Sequence, residues 1–327
     1  MRAIQFAEFG YPPEVCRVVE VPEPSPPGAG EVLVEIEAFP INPVDLLTIE
    51  GKYASRPPLP AFLGSDGVGR VRDVGDGVAN LAPGDRVLHL GRENWMQRKT
   101  VPAGMLVPLA EDTDLHQAAM LKINPASATL MLKRYVDLEP GDWVIQDAAN
   151  SGVGHYLIQI ARARGLRTVN VVRRDGLEEH LTAAGADAVV VDGANLDERV
   201  RAATDGAPIR LAIDAVGGDI CTRLADCLTE GGTIVTYGLL SGEPCQLRGD
   251  QVVFKGITQT GFWLVKHLGG MDSKDIYALF AELAERVRSG ELHVDVEAVY
   301  GIDQIGEALA HAGRGGRAGK IIVEPSR

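Results

Sequence analysis

Residues 143–161 read WVIQDAANSGVGHYLIQIA: an apolar run, a turn of small residues, then a run with helical spacing. Strand, small-residue turn and helix in that order are the fingerprint of a dinucleotide-binding turn. Against the G-x-G-x-x-G template the first two positions hold Ala149 and Ser151. Only Gly154 keeps its glycine, with Gly152 between them. Small residues still let the turn approach a pyrophosphate, and a helix N-terminus offers amides and a favourable dipole. Asn150 and Ser151 add side-chain donors. An ordinary strand-to-helix turn also needs small residues for close packing, so the neighbouring segments must decide.

An acidic residue that receives the adenosine ribose is expected about 20 residues beyond the glycines, at the end of the next strand. Here that strand ends in TVNVVRRD (168–175), which puts Arg173 and Arg174 at the place. A carboxylate there would repel a 2′-phosphate, whereas guanidinium groups pair with phosphate through charge-assisted bonds. The pattern favours NADPH over NADH. Asp175 has two readings, as the ribose partner or as the cap of the following helix.

Further out, the segments WVIQD, TVNVV, AVVVD, LAIDAV and TIVTYG read as strands separated by helical stretches. Strands that are apolar throughout and alternate with helices predict a parallel sheet covered on both faces. Upstream the texture differs. IQFAEF, CRVVEV, VLVEIEAF, VGRVRDV and DRVLHL are short β-like runs between Pro- and Gly-rich turns, which predicts a barrel-like β domain. A helix is expected over 116–137. After residue 261 an amphipathic helix, DIYALFAELAERVRSG, and a terminal strand, KIIVEP, are expected to fold back on the β domain. The expected fold class is α/β, with domains at 1–118 and 119–261 and a returning segment at 262–327.

A chain of 327 residues with 45% hydrophobic and 24% charged residues has the composition of a globular protein of two domains. The net charge of −13, with no long basic run, argues against a nucleic-acid partner. No apolar stretch approaches membrane-spanning length, and MRAIQFAEFG does not read as a signal peptide, so no membrane partner and a cytoplasmic location are expected. The four cysteines (Cys16, Cys221, Cys227, Cys245) show no CxxC spacing or disulfide framework and are expected to be buried packing residues. The seven histidines show no ligand spacing, and none is expected in a site.

INPVDLLTIEGKY (41–53), LKINPASATLML (121–132), QDAANSGVGHYLIQIA (146–161), LRTVNVVRRD (166–175), GGTIVTYG (231–238) and FKGITQTGFWL (254–264) together resemble the medium-chain dehydrogenase/reductase superfamily over nearly the whole chain. The resemblance is greatest to its 2-enoyl thioester reductases of the mitochondrial trans-2-enoyl type, with quinone oxidoreductases as near relatives. It implies a GroES-like β-rich domain beside a doubly wound Rossmann domain. The alcohol dehydrogenases of that superfamily hold a catalytic zinc with an early Cys and a later His-Glu pair. This chain reads NPVD at 42–45 and GSDGVG at 64–69, so no metal is expected.

The resemblance implies a small-molecule substrate, an acyl thioester or a quinone, and a homodimer pairing through an edge strand in FKGITQTGFWL. It implies that Tyr53, in GKY, donates a proton. A tyrosine, titrating near about 10, remains protonated at neutral pH and can yield to a basic enolate carbon. Without the resemblance, a packing tyrosine is the simpler reading. The resemblance also implies cofactor contacts at Asn124, Asn150, Ser151, Gly152, Val153, Arg173, Arg174, Asp175, Tyr237, Gly238, Leu239, Leu240, Phe262, Trp263, Leu264 and Lys320. Tyr237 and Trp263 could equally pack in the core, Asn124 could bond a helix carbonyl, and Lys320 could be a solvated lysine. Trp95 reads as core, rim or acyl pocket. The function implied is NADPH-dependent reduction of an activated C=C bond. The alternatives are quinone reduction and a catalytically silent NADPH-binding protein.

Overall fold

Parallel pairing governs the part of the chain that begins near the quoted segment. The computed structural model describes residues 1–327. They form two units, Asn124–Asp272 and Met1–Ile123 joined with Ser273–Arg327.

In the Asn124–Asp272 unit six parallel strands lie in the order Ala188–Val191, Arg167–Val172, Trp143–Gln146, Ile209–Asp214, Thr233–Thr236, Thr258–Gly261. Trp143–Gln146, the first of the six in chain order, stands centrally, and the order reverses between it and Ile209–Asp214. A ligand crevice is expected outside the carboxyl ends of strands at such a point. Val144, Ile145, Val169, Leu211, Ala212 and Ile213 are fully buried, the double-sided burial that their unbroken apolar runs predict. The sixth strand, TQTG, carries no apolar signal. It pairs only with Thr233–Thr236, so its other side is an open edge.

The helix expected over 116–137 is two helices, Leu115–Ala119 and Asn124–Arg134, separated by a turn. Pro125 is the reason. Its ring and missing N–H are tolerated in a first helical turn but not in a helix interior.

The other unit contains a seven-stranded sheet built around Glu31–Pro40, which pairs with Val68–Val74 and Arg98–Pro102. Along Glu31–Pro40 alternate residues Val32, Val34, Ile36 and Ala38 point into the core and are fully buried. The terminal strand Lys320–Glu324 runs antiparallel to the same strand, with Val323 opposite Phe39. It carries Val296–Gly301, a parallel partner that the sequence did not announce. No helix is long and apolar enough to cross a membrane.

Candidate active site

The glycine turn is built from its small residues. Ser151 caps the Gly152–Ala163 helix, its Oγ accepting from the Gly154 amide at 3.1 Å. Ala148 has a φ of 43°, the left-handed region, which turns the chain sharply out of the strand. A Cβ on Gly154 would lie 2.3 Å from the Ala149 carbonyl oxygen, so glycine alone lets the helix sit this close to the strand. Gln146 secures the same turn, donating to the Gly154 carbonyl at 3.0 Å and to Asn170 Oδ1 at 2.8 Å. Val153 is buried, while Asn150, Ser151 and Gly152 are half-buried.

Two carboxylates flank the point where the strand order reverses. Asp147 Oδ1 accepts from the Ala215 amide at 2.7 Å. Asp214 Oδ1 accepts from the amides of Val216 and Gly217 at 3.0 and 2.8 Å. Burial, reinforced by the neighbouring Asp214 charge, pushes the Asp147 carboxyl well above its ordinary range. Through these bonds the two carboxyl groups fix the 215–217 turn. A Cβ on Gly238 would meet the Ala215 carbonyl oxygen at 2.4 Å, so this position also demands glycine.

Beside this turn lies a cavity of about 380 Å³, lined among others by Arg173, Asp192, Gly217, Gly218, Arg223 and Glu243. Arg173 is thus the member of the expected arginine pair that faces a cavity. Arg173, Arg174 and Asp175 are all exposed on the loop that follows the strand, and of the three only Arg173 lines the cavity. Asp192 and Arg223 went unassigned in the sequence, although Asp192 stands at the end of a strand, in AVVVD, where ligand residues gather in such sheets. Arg223 is about one helical turn into the Asp219–Cys227 helix, a segment with no distinguishing motif.

The remaining expected contacts fall into two groups. Leu239, Leu240 and Trp263 are exposed apolar side chains just beyond strand ends, the kind of surface a ligand covers. Tyr237 is held by the Ser151 side chain, and burial raises its phenol above the ordinary range. Phe262 and Leu264 are buried, and Phe262 stacks on His267 with centroids 4.6 Å apart. Asn124 is buried, and its Nδ2 has no hydrogen-bond partner. A buried amide donor without an acceptor is costly unless something supplies one. The histidines are less scattered than expected, since His155 Nε2 lies 2.9 Å from His180 Nε2.

In the first unit Tyr53 follows the Pro43–Ile49 helix, its amide donating to the Leu47 carbonyl at 3.1 Å. The ring is half-buried, with the Arg92 guanidinium 5.9 Å from its centroid, a cation–π contact that orients it. Trp95 is fully buried and stacks on Phe39, which makes it core.

The two stretches NPVD and GSDGVG meet in a buried polar cluster. Asn42 Nδ2 donates to Asp66 Oδ2 at 2.7 Å, and the Ser65 amide and hydroxyl donate to Asp45 at 3.0 and 3.1 Å. Asp66 Oδ1 accepts from the Ile123 amide at 3.1 Å. Lys320 lies in this cluster rather than in solvent. It is buried, and its Nζ donates to Asn42 Oδ1 at 2.5 Å. Lys122 Nζ donates to the carbonyls of Ser65 and Gly91. Burial raises both carboxyls and lowers both ammoniums, Lys122 to about 8. The neighbouring lysines act against the rise of the Asp66 carboxyl.

Comparison with known proteins follows the same division. Residues 28–108 match the alcohol dehydrogenase GroES-like domain, and residues 152–285 match the zinc-binding dehydrogenase domain. A mitochondrial enoyl-[acyl-carrier-protein] reductase of Caenorhabditis elegans is 36% identical over 298 residues, covering 89% of this chain and 86% of its own. Among solved structures, a candidate NADPH:quinone reductase of Bacillus thuringiensis superposes with a TM-score of 0.91 at 30% identity, covering 99% of this chain and 98% of its own. The Escherichia coli quinone oxidoreductase complexed with NADPH gives 0.89 at 26% identity, covering 99% and 100%. The donor set around Asp66 does not fit the zinc of the second domain's description. Zinc takes three Cys, His or carboxylate ligands around an open position. Here both carboxylates are committed to Asn42, Ser65 and the Ile123 amide, and two ammoniums stand nearby.

Proposed function

The chain belongs to the medium-chain dehydrogenase/reductase superfamily, and from that premise we propose that it is an NADPH-dependent reductase of an activated C=C bond, acting on trans-2-enoyl thioesters. The observation that carries the reading is the relationship, over most of both chains, to an enoyl-[acyl-carrier-protein] reductase.

The residues of the Asn124–Asp272 unit fit a phosphorylated dinucleotide. The Ser151-capped helix offers amides to the pyrophosphate. Arg173 faces a cavity able to take the 2′-phosphate, and the orphaned Asn124 amide offers a donor to the nicotinamide end. Leu239, Leu240 and Trp263 supply apolar surface along the way.

NADPH, when bound, supplies the hydride that adds to the substrate's Cβ. The protein's residues then have two tasks, positioning and proton delivery. The thioester carbonyl has already polarised the double bond, so hydride addition leaves negative charge on the carbonyl oxygen and an enolate carbon at Cα. Tyr53 delivers the proton to Cα. Its backbone is fixed by Leu47 and its ring by Arg92, which supports a side chain held for one geometry.

Quinone reduction is the second reading, favoured by the likeness to the Bacillus thuringiensis protein. NADPH oxidation followed by absorbance, with trans-2-enoyl-CoA of several chain lengths and a quinone panel in parallel, separates the two. Thioester turnover establishes the first. Quinone turnover alone retains the cofactor but removes the role given to Tyr53. We also infer a homodimer through the open edge at Thr258–Gly261, preceded by Phe254 at 82% exposure. A monomer in sedimentation would refute it.

A further inference from the structure

Cys221 and Cys245 form a disulfide, with Cα atoms 5.6 Å apart. Neither cysteine carries any part of the reaction above. Cys221 lies in the Asp219–Cys227 helix, whose first turn lines the cavity through Asp219 and Ile220. Cys245 lies between Pro244 and Gln246, which line it from the other side. The bond therefore ties together two walls of the cavity that Arg173 faces.

Hydrogen bonds also hold the second wall, the Ser241 amide donating to the Val216 carbonyl at 2.9 Å and Gln259 Nε2 to the Cys245 carbonyl at 3.4 Å. Ser241 Oγ donates to the Val216 carbonyl at 2.6 Å, and Thr222 Oγ1 donates to the Gln246 carbonyl at 2.9 Å. Between these points Glu243 lies against Gly217 and Gly218. A Cβ on Gly217 would come within 2.8 Å of the Glu243 carbonyl oxygen. The loop 242–246 is otherwise exposed, so the disulfide is its covalent anchor.

We propose that the Cys221–Cys245 disulfide is a redox gate on the adenosine end of the cofactor site, its bonded form holding the loop in the shape that binds NADPH. This rests on the reading of the cavity as part of the NADPH site. The reductant is a dithiol. One thiolate of the dithiol attacks Sγ of Cys245, the half-buried member of the pair. The S–S bond breaks and Cys221 leaves. Cys221 Sγ lies 3.4 Å from Asp214 Oδ2. A thiolate beside that carboxylate is unfavourable, so it takes up a proton and donates it in a hydrogen bond to Asp214. The second thiol of the dithiol, as thiolate, resolves the mixed disulfide and frees Cys245, which also takes up a proton. Two electrons and two protons enter the protein, and the dithiol becomes a disulfide.

The remaining cysteines do not compete. Burial pushes the thiols of Cys16 and Cys227 up to about 12, which leaves them protonated and unreactive. Asp214 links the gate to the cavity, because its other oxygen holds the amides of Val216 and Gly217. In the reduced protein the loop must be ordered at the moment of binding, and affinity falls.

The test titrates NADPH into the full-length protein, followed by nicotinamide fluorescence, before and after treatment with dithiothreitol. Thiols are counted in denaturant in parallel. The expected result is two free thiols and tight binding in the oxidised protein. Four thiols and about tenfold weaker binding are expected after reduction, from the cost of ordering the loop. Cys245→Ser should bind like the reduced protein and ignore dithiothreitol. Four thiols in the air-oxidised protein, or equal affinities in both states, overturn the gate while leaving the cofactor reading intact. NADPH binding in neither state overturns the cofactor reading, and the gate with it.

Discussion

Arg223 grips Asp192 through two parallel hydrogen bonds, Nε to Oδ1 at 2.7 Å and Nη2 to Oδ2 at 2.6 Å, on the wall of the cavity that Arg173 also lines. The ion pair neutralises the one carboxylate that a neighbouring strand end contributes there. Arg173 carries no such partner from Asp192 and keeps its charge for an anion.

Arg173→Ala should therefore weaken NADPH by about tenfold to a hundredfold, the worth of a charge-assisted bond of roughly 1.5–3 kcal/mol. NADH, without the 2′-phosphate, should lose about twofold or less. Arg174→Ala should cost less than Arg173→Ala, since only Arg173 lines the cavity. Equal losses for the two cofactors in fluorescence titrations would remove Arg173 from phosphate recognition.

Tyr53→Phe should cut enoyl thioester turnover by about a hundredfold or more while leaving NADPH affinity unchanged. Steady-state rates alongside a cofactor titration check this. A phenylalanine variant of full activity would mean that the Cα proton comes from another source.

Gly154→Ala tests the turn itself. Its Cβ would meet a backbone oxygen at 2.3 Å, and backbone cannot swing aside as a side-chain tip can. A loss of about 1–3 kcal/mol is expected, the usual range for overpacking. Denaturant unfolding should show it, and an unchanged midpoint would mean that helix and strand can separate freely.

His89 gives a pH dependence in the other unit. Burial, then the nearby Lys99 charge, pushes its imidazole from an ordinary 6.5 down to about 3. The unfolded chain therefore takes up a proton, below pH 6.5, that the folded chain refuses until about pH 3. Stability falls as pH drops through that window. His89→Gln keeps a partner for Asn94 but cannot titrate. The unfolding free energy of this variant should fall less between pH 7 and pH 4.5 than that of the parent. Parallel slopes would show that His89 is protonated in the fold.

Much of this architecture is local in origin. WVIQ, TVNVV, AVVV and LAID announce themselves as buried parallel strands, because double-sided burial demands unbroken apolar runs. The turn at 148–154 is legible because only small residues let a helix start so near a strand, and the arginines are legible because they follow at a fixed distance. Other features have no local signal. TQTG becomes a strand only because Thr233–Thr236 offers it a free edge. Lys320, read from the sequence as a cofactor contact or a solvated lysine, is bonded to Asn42 across 278 residues. Asp192 and Arg223 meet across 31 residues, and Cys221 and Cys245, read as unpaired packing residues, meet across 24. Periodicity and turn chemistry act between near neighbours, so the sequence by itself determined the elements and their class. Which charges neutralise one another, which thiols bond and which arginine faces a cavity depend on distances that only the folded chain creates.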